Sequence, residues 1–183
     1  MLDPRALPAL NRLEELDIPY TLYEHPAART MEDCEGIGRD VGAAHFKNLF
    51  LANRAGTAFY LVLIRADKKF HTGAVSRQLG VERLSFGTPE QLEELLGLQP
   101  GAVTPLALMN DPAHRVQVAI DRDIMAHAML CMHPLVSTAS VAMSRMGLLR
   151  FIKACGHDYR YITAADDGGE ESMGKDVIPW KNG

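Results

Sequence analysis

Two apolar segments of β type, separated by a four-residue turn, constrain the fold of this 183-residue chain more than any other feature. The segments are Lys47–Ala52 and Thr57–Ile64, and Asn53-Arg54-Ala55-Gly56 joins them. Asparagine and glycine are typical of the tight turns that connect adjacent antiparallel strands. The pattern therefore predicts a β-hairpin, and the fold must contain a sheet.

Capping patterns predict helices around this hairpin. Asp3-Pro4 and Thr88-Pro89 each place a capping side chain before a proline at the first helical position, and Thr30 with Asp33 is a further capping pattern. The predicted helices run from Asp3 to about Asp17, from Thr30 to around Gly36 to Gly38, and over Thr72–Leu79, Thr88–Gly97 and Ser144–Cys155. The other predicted strands are Tyr20–His25, Arg83–Phe86, Leu106–Leu108, Val116–Ile120, Ala128–Met132, Ser137–Met143 and Tyr159–Ile162.

This irregular alternation of helices and strands favours an α/β (α+β) fold with a mixed, mostly antiparallel, curved sheet and flanking helices. The length and the 47% hydrophobic content suit one domain, and no linker interrupts the chain before residue 163. We therefore expect a single domain over residues 1–165. Residues 166–183 are acidic and glycine-rich, carry Trp180, and are predicted to form a mobile tail.

The cysteines indicate a reducing compartment. Cys34, Cys131 and Cys155 show no CxxC spacing and cannot all pair with one another. No apolar run approaches the ~20 residues of a membrane span, and the N-terminus lacks the features of a secretory signal, so we expect a cytoplasmic protein without a membrane partner. Cys131 and His133 would share a face of a strand, but no further ligand pair has zinc-type spacing. We therefore expect no metal and no cofactor.

Positive charge is concentrated in one part of a chain whose net charge is -4. Between Arg39 and Arg83 there are eight lysines and arginines against three acidic residues. Such a local basic face can meet phosphates although the whole protein is acidic. The alternative is an ordinary solvated surface.

Lys47 is the first candidate for chemistry. In a strand it shares a face with Leu49 and Leu51, so its ammonium either reaches water at the strand end or lines a pocket. In a pocket the ammonium can bind a carbonyl or a developing oxyanion. Asn48 is the neighbouring hydrogen-bonding side chain and points to the opposite face.

A glycine–proline loop and a histidine complete the candidate site. Gly101-Ala102-Val103-Thr104-Pro105 can turn consecutive backbone N–H groups toward a carbonyl or carboxylate, or it is a plain connection into the next apolar segment. His133, followed by Pro134, ends an apolar run. It can bind a substrate hydroxyl or move a proton, or it is a structural histidine that caps a strand.

The order and spacing of several short motifs resemble the YbaK-like aminoacyl-tRNA editing domain family, and in particular its free-standing prolyl-tRNA deacylases. The resemblance covers about residues 3–162. The matching pieces are Tyr23-Glu24-His25-Pro26, Lys47-Asn48-Leu49-Phe50-Leu51, Asp67-Lys68-Lys69, Leu84-Ser85-Phe86, Gly101–Leu108 with Asn110-Asp111, and His133-Pro134-Leu135.

The resemblance implies an enzyme that hydrolyses the ester between a wrong amino acid and proline tRNA, most simply alanine. It implies that Lys47 is the catalytic residue, and that the substrate-binding residues are Asn48, the loop from Gly101 to Pro105, His133 and Ser137. Relatives that clear alanine often carry asparagine where this chain has Ser137, so the preferred amino acid stays open. Candidate tRNA-binding residues, from the basic segment, are Arg54, Arg65, Lys68 and Lys69.

Two other functions stay open at this point. One is a deacylase for Cys-tRNA(Pro) or another small aminoacyl-tRNA. The other is a module without catalysis that holds tRNA or docks on a synthetase. For the editing deacylase that the resemblance implies, the expected partners are the acceptor end of tRNA(Pro) and prolyl-tRNA synthetase, while the sequence leaves the oligomeric state open.

Overall fold

A single mixed sheet forms the centre of the computed structural model, which describes residues 1–28 and 30–164. Trp180 and the tail predicted for residues 166–183 lie outside the described residues. In the described part of the chain the strands are β1 Tyr20–Glu24, β2 Ala44–Ala52, β3 Phe59–Arg65, β4 Ser85–Phe86, β5 Val116–Asp121, β6 Met129–Met132, β7 Ala139–Ser144 and β8 Tyr159–Ile162. The helices are α1 Leu7–Glu15, α2 Met31–Val41, α3 Thr72–Leu79, α4 Pro89–Leu96 and α5 Arg145–Ala154, with 3₁₀ turns at Pro4–Ala6, Pro105–Asn110 and Arg122–Ala126.

The strand order is β1-β7-β6-β2-β3-β5-β8, and β4 pairs with the far end of β2. Four of the seven ladders between described strands are antiparallel: β1–β7, β6–β7, β2–β3 and β2–β4. The ladders β2–β6, β3–β5 and β5–β8 are parallel. The predicted hairpin is thus β2–β3, and the predicted mixed, mostly antiparallel sheet with flanking helices is confirmed.

Both faces of the sheet are covered, because central strands alternate apolar side chains on either side. On β3, Leu61 and Leu63 face a large core closed by α1, α4, α5 and the 3₁₀ turn at Pro105–Asn110. Val62 and Ile64 face a second core, which α3 closes. The helix α2 packs beside β2 on a small cluster that includes Cys131. Lys47 and His45, discussed below, lie on the side of the second core.

The local capping signals form as the sequence predicts. Thr30 with Asp33, and Thr88 with Gln91, make reciprocal capping boxes, and the Asp3 side chain accepts from the Arg5 backbone N–H. These bonds satisfy N–H groups that a helix start otherwise leaves without partners.

Two predicted elements differ from the structure. Leu106–Leu108 is not a strand but part of the 3₁₀ turn at Pro105–Asn110, because Pro105 starts the turn and the Thr104 hydroxyl accepts from the Leu106 N–H. A short, fully buried apolar run does not by itself distinguish strand from helix. The helix α2 continues past Gly38 and ends at Gly42, whose φ of 67° lies in the left-handed region. Within the described ranges, no helix has both the length and the apolar content that a membrane crossing requires.

Candidate active site

Lys47 lies on β2 opposite Ile64 of β3, on the sheet face that carries the second core. Its side chain is half-buried, and its ammonium donates to the backbone carbonyl of Lys68 at 2.6 Å. No carboxylate of residues 1–28 or 30–164 forms an ion pair with it. A carbonyl therefore holds this ammonium at the sheet, with two N–H groups available to a ligand.

Lys68, which the sequence analysis offers as a tRNA-binding residue, instead supports the position of the Lys47 ammonium. Its side chain is 1% exposed, and its ammonium lies 3.2 Å from Asp121 and 2.7 Å from Asp123. Burial lowers the pKa of Lys68, but the hydrogen bonds that its ammonium donates to Asp123 and Asp121 outweigh burial and hold this pKa above its usual value. Because the ammonium is enclosed, Lys68 does not offer it to a tRNA phosphate; it anchors the turn whose carbonyl holds Lys47.

His133 is 5% exposed and lies just beyond the end of β6. Its Nδ1–H donates to the Ala139 carbonyl at 2.9 Å, which leaves Nε2 as the nitrogen with the lone pair. The Cys34 thiol donates to this Nε2 at 3.8 Å. Burial lowers the pKa of His133, so the ring is held neutral. Leu135, two residues on, has a φ of 66°, which is rare for a residue with a branched side chain.

His45 lies on the same side of the sheet as Lys47 and His133. It precedes Lys47 by two residues on β2, so both side chains point to the same face. Its ring centroid lies 5.7 Å from that of His133. Burial, followed by the neighbouring His133, lowers the pKa of His45 to about 4. Neither ring nitrogen makes a well-formed hydrogen bond to a described residue, although both are buried.

The loop from Gly101 to Pro105 lies on the other side of the sheet. Gly101 has a φ of 89°, as a glycine-dependent turn requires, and Val103 packs on the large core. The Ala102 N–H donates to the Gln99 carbonyl, so this amide is used within the loop. No described hydrogen bond joins the loop to Lys47 or His133.

Asn48 shares the face of the large core, because it alternates with Phe46 and Phe50 on β2. Its Oδ1 is buried, and no described residue donates to it. Ser137 is half-buried, and its carbonyl accepts from the Ala28 N–H. The loop, Asn48 and Ser137 are thus placed near the core but are not gathered around Lys47 by any described bond.

The remaining basic candidates differ in how exposed they are. Arg54 is exposed in the β2–β3 turn, and Lys69 is exposed beside Lys68. Arg65 is partly exposed and forms ion pairs with Asp67 and Asp123. Two cavities, of about 470 and 620 Å³, are lined by residues around His114 and around His25, and neither is lined by Lys47.

Cys34 and His45 are residues that sequence reasoning missed. Cys34 lies on α2 and His45 on β2, far from His133 in sequence, and no spacing rule connects them. Cys131, which the sequence paired with His133, points into the small apolar cluster, and burial raises its pKa to about 11. The one sequence signal that could have identified His45 is the alternation of side chains along β2, which places His45 on the same face as Lys47.

Comparisons with known proteins identify the family of the chain. The family model for the aminoacyl-tRNA editing domain matches residues 25–151. The chain is 33% identical over 151 residues to "Prolyl-tRNA editing protein ProX" of Acetoanaerobium sticklandii, covering 82% of this chain and 92% of that protein. It is also 33% identical over 147 residues to "Prolyl-tRNA synthetase associated domain-containing protein 1" of Danio rerio, covering 79% of each chain.

A crystal structure of a suggested trans-editing enzyme for prolyl tRNA synthetase shares the fold, with a TM-score of 0.69, 24% identity and coverage of 91% of this chain and 98% of that chain. The family match spans the segments that contain Lys47, the Gly101–Pro105 loop and His133. The chain therefore belongs to the aminoacyl-tRNA editing domain family and is, as its motifs predicted, an aminoacyl-tRNA deacylase.

Proposed function

We propose that this protein clears mischarged tRNA(Pro) by hydrolysing the ester of a small, wrongly attached amino acid, with alanine as the first candidate. The names of the two relatives above support proline tRNA as the substrate class. The expected partners are the acceptor end of tRNA(Pro) and prolyl-tRNA synthetase. The cytoplasmic location stays a prediction from sequence.

Physical chemistry explains the need for such an enzyme. A synthetase pocket built for proline excludes a smaller side chain only weakly, because lost apolar contacts discriminate by about 1–3 kcal/mol. A second site that admits small amino acids and rejects proline restores accuracy. Ser137 is shorter than the asparagine expected at its position in alanine-clearing relatives, so the size of the accepted amino acid is the first property to measure.

One observation carries the catalytic part of the proposal: the half-buried ammonium of Lys47 has no carboxylate partner among the described residues and is held by the Lys68 carbonyl. In the reaction, water attacks the acyl carbonyl carbon, and negative charge develops on the carbonyl oxygen. An N–H of Lys47 stabilises this oxyanion. The C–O bond to the ribose then breaks, and the ribose oxygen takes up a proton as it leaves.

His133 is a poor candidate for the base that activates this water. Its Nδ1–H is bonded to Ala139, its Nε2 faces the Cys34 thiol, and burial lowers its pKa. The neighbouring hydroxyl of the terminal ribose is the better candidate to orient this water and to relay its proton to the leaving ribose oxygen, with His133 shaping the pocket. The predicted substrate-binding role of the loop from Gly101 to Pro105 is not part of this mechanism, because the loop lies on the opposite side of the sheet from Lys47.

A panel of mischarged tRNAs tests the substrate. Purified protein is incubated with Ala-, Cys- and Pro-tRNA(Pro), and the remaining ester is followed over time. We expect rapid loss of Ala-tRNA(Pro) and persistence of Pro-tRNA(Pro). Faster loss of Cys-tRNA(Pro) would replace alanine with cysteine. Salt-sensitive tRNA binding with no cleavage of any ester would instead show a binding module.

A matched pair of lysine variants tests the mechanism. Lys47→Ala should lower the single-turnover rate on the preferred substrate by about 100-fold or more, because one oxyanion donor is lost. Lys153→Ala, which removes an exposed lysine on α5 that pairs with Asp158, should leave the rate unchanged. Equal rates for wild type and Lys47→Ala would remove Lys47 from the mechanism.

A further inference from the structure

Three side chains from separate parts of the fold converge beside Lys47. They are Cys34 of α2, His45 of β2 and His133 after β6. The Cys34 Sγ and one ring nitrogen of each histidine all lie within 4.8 Å of one another, and all three side chains are buried. The capping box at Thr30 fixes the first turn of α2, which carries Cys34, and the parallel β2–β6 ladder aligns His45 with Cys131, two residues before His133.

We propose that Cys34, His45 and His133 form a binding site for a thiophilic divalent transition-metal ion such as Zn²⁺. Thiolate and imidazole are the ligands that Zn²⁺ prefers, and three protein ligands with one open position are a common set. In a tetrahedral site the Zn–S and Zn–N bonds place these ligand atoms about 3.5 Å apart. The Cys34 Sγ to His133 Nε2 distance is already 3.8 Å, so small side-chain movements complete the site.

The surroundings of the two rings support the assignment. His133 donates its Nδ1–H to a backbone carbonyl, which fixes the tautomer whose lone pair lies on Nε2, as in most metal-bound histidines. Both ring nitrogens of His45 are buried, and neither makes a well-formed hydrogen bond to a described residue. Such groups are costly when left without a partner, and a metal ion would satisfy one of them. On binding, the Cys34 thiol releases its proton to solvent, and the S–metal bond forms.

Sequence spacing predicted no metal here, because the three ligands are scattered between residues 34 and 133 and only the fold brings them together. The site does not depend on the proposed deacylase function. Binding is measured without tRNA, so failure of one proposal leaves the other standing.

The experiment is a titration of the reduced, full-length protein with Co²⁺ as a spectroscopic probe for Zn²⁺. We expect one equivalent to bind with a thiolate-to-cobalt charge-transfer band, and Zn²⁺ to displace it. Cys34→Ser should abolish the band, and His45→Asn should weaken binding by about 100-fold or more. The control is Cys155→Ser, which changes a half-buried cysteine outside the cluster. This variant should bind Co²⁺ as the wild type does.

A second measurement needs no variant, in case Cys34→Ser does not fold. Zn²⁺ should slow alkylation of Cys34 in the wild-type protein and leave the alkylation of Cys155 unchanged, as read by peptide mass spectrometry. Absence of the charge-transfer band in the wild type, its survival in Cys34→Ser, or equal protection of both cysteines would overturn the site.

Discussion

At the scale of single residues, burial separates lysines that look alike in sequence. Lys47, Lys68 and Lys69 all lie in the basic segment, yet Lys68 is enclosed by Asp121 and Asp123, and Lys69 is exposed. The Coulomb attraction between Lys68 and a fully buried carboxylate is screened far less by water than that of a surface pair. Lys68 therefore contributes to structure, and its backbone carbonyl positions Lys47.

The enclosed pair makes a prediction about stability. Asp121→Ala leaves the Lys68 ammonium buried with only Asp123 to balance it, and should cost about 3–5 kcal/mol in the free energy of unfolding. The control is Glu94→Ala, which removes an exposed ion pair with Arg115 and should cost less than about 1 kcal/mol. Urea denaturation measures both values. Similar small losses in the two variants would contradict the structural role assigned to Lys68.

At the scale of elements, local sequence signals predict where helices begin but not which elements contact each other. The capping boxes of α2 and α4 depend on residues three positions apart, and both form as predicted. By contrast, a buried contact between Asp111 and His157, at 3.1 Å, ties the end of the Pro105–Asn110 turn to the segment between α5 and β8. No spacing rule connects residues 46 positions apart.

This contact makes a second stability prediction. His157→Phe should cost about 1–3 kcal/mol, because it removes the ring N–H that donates to the buried Asp111 Oδ2 and leaves this oxygen with only the Val116 N–H. His71→Ala is the control, since His71 is exposed and its side chain makes no capping bond to α3. Its effect should stay within about 0.5 kcal/mol. Thermal unfolding of the three proteins gives the comparison, and equal melting temperatures would show that the contact contributes nothing.

At the scale of the whole molecule, charge is distributed unevenly. The net charge is -4, while the segment from Arg39 to Arg83 is basic. The structure narrows the phosphate-binding candidates, because Lys68 is enclosed and Arg65 is shared with Asp67 and Asp123. Arg54 is left exposed, together with Lys69.

A salt titration tests whether this face meets tRNA. If Arg54 and Lys69 each contact one phosphate, then Arg54→Ala and Lys69→Ala should each reduce the slope of log K against log salt concentration by about 0.7–0.9. Arg150→Ala, an exposed position on α5, should leave the slope unchanged. Binding of tRNA(Pro) is measured by filter retention at several salt concentrations. Unchanged slopes in the first two variants would place the tRNA on another surface.

The sequence alone determined the features that depend on neighbours along the chain. The β2–β3 hairpin, the capped helix starts and the presence of Lys47 within an apolar strand follow from turn, capping and alternation rules that act over a few residues. The family resemblance was likewise carried by short motifs in a given order.

Only the tertiary structure decided which distant residues meet. It placed Cys34 and His45 beside His133, enclosed Lys68 between two carboxylates, and put the Gly101–Pro105 loop on the opposite side of the sheet from Lys47. Such contacts depend on strand order and on which side each helix packs. Burial and strand order come from the whole chain packing at once, and no local pattern of residues encodes them.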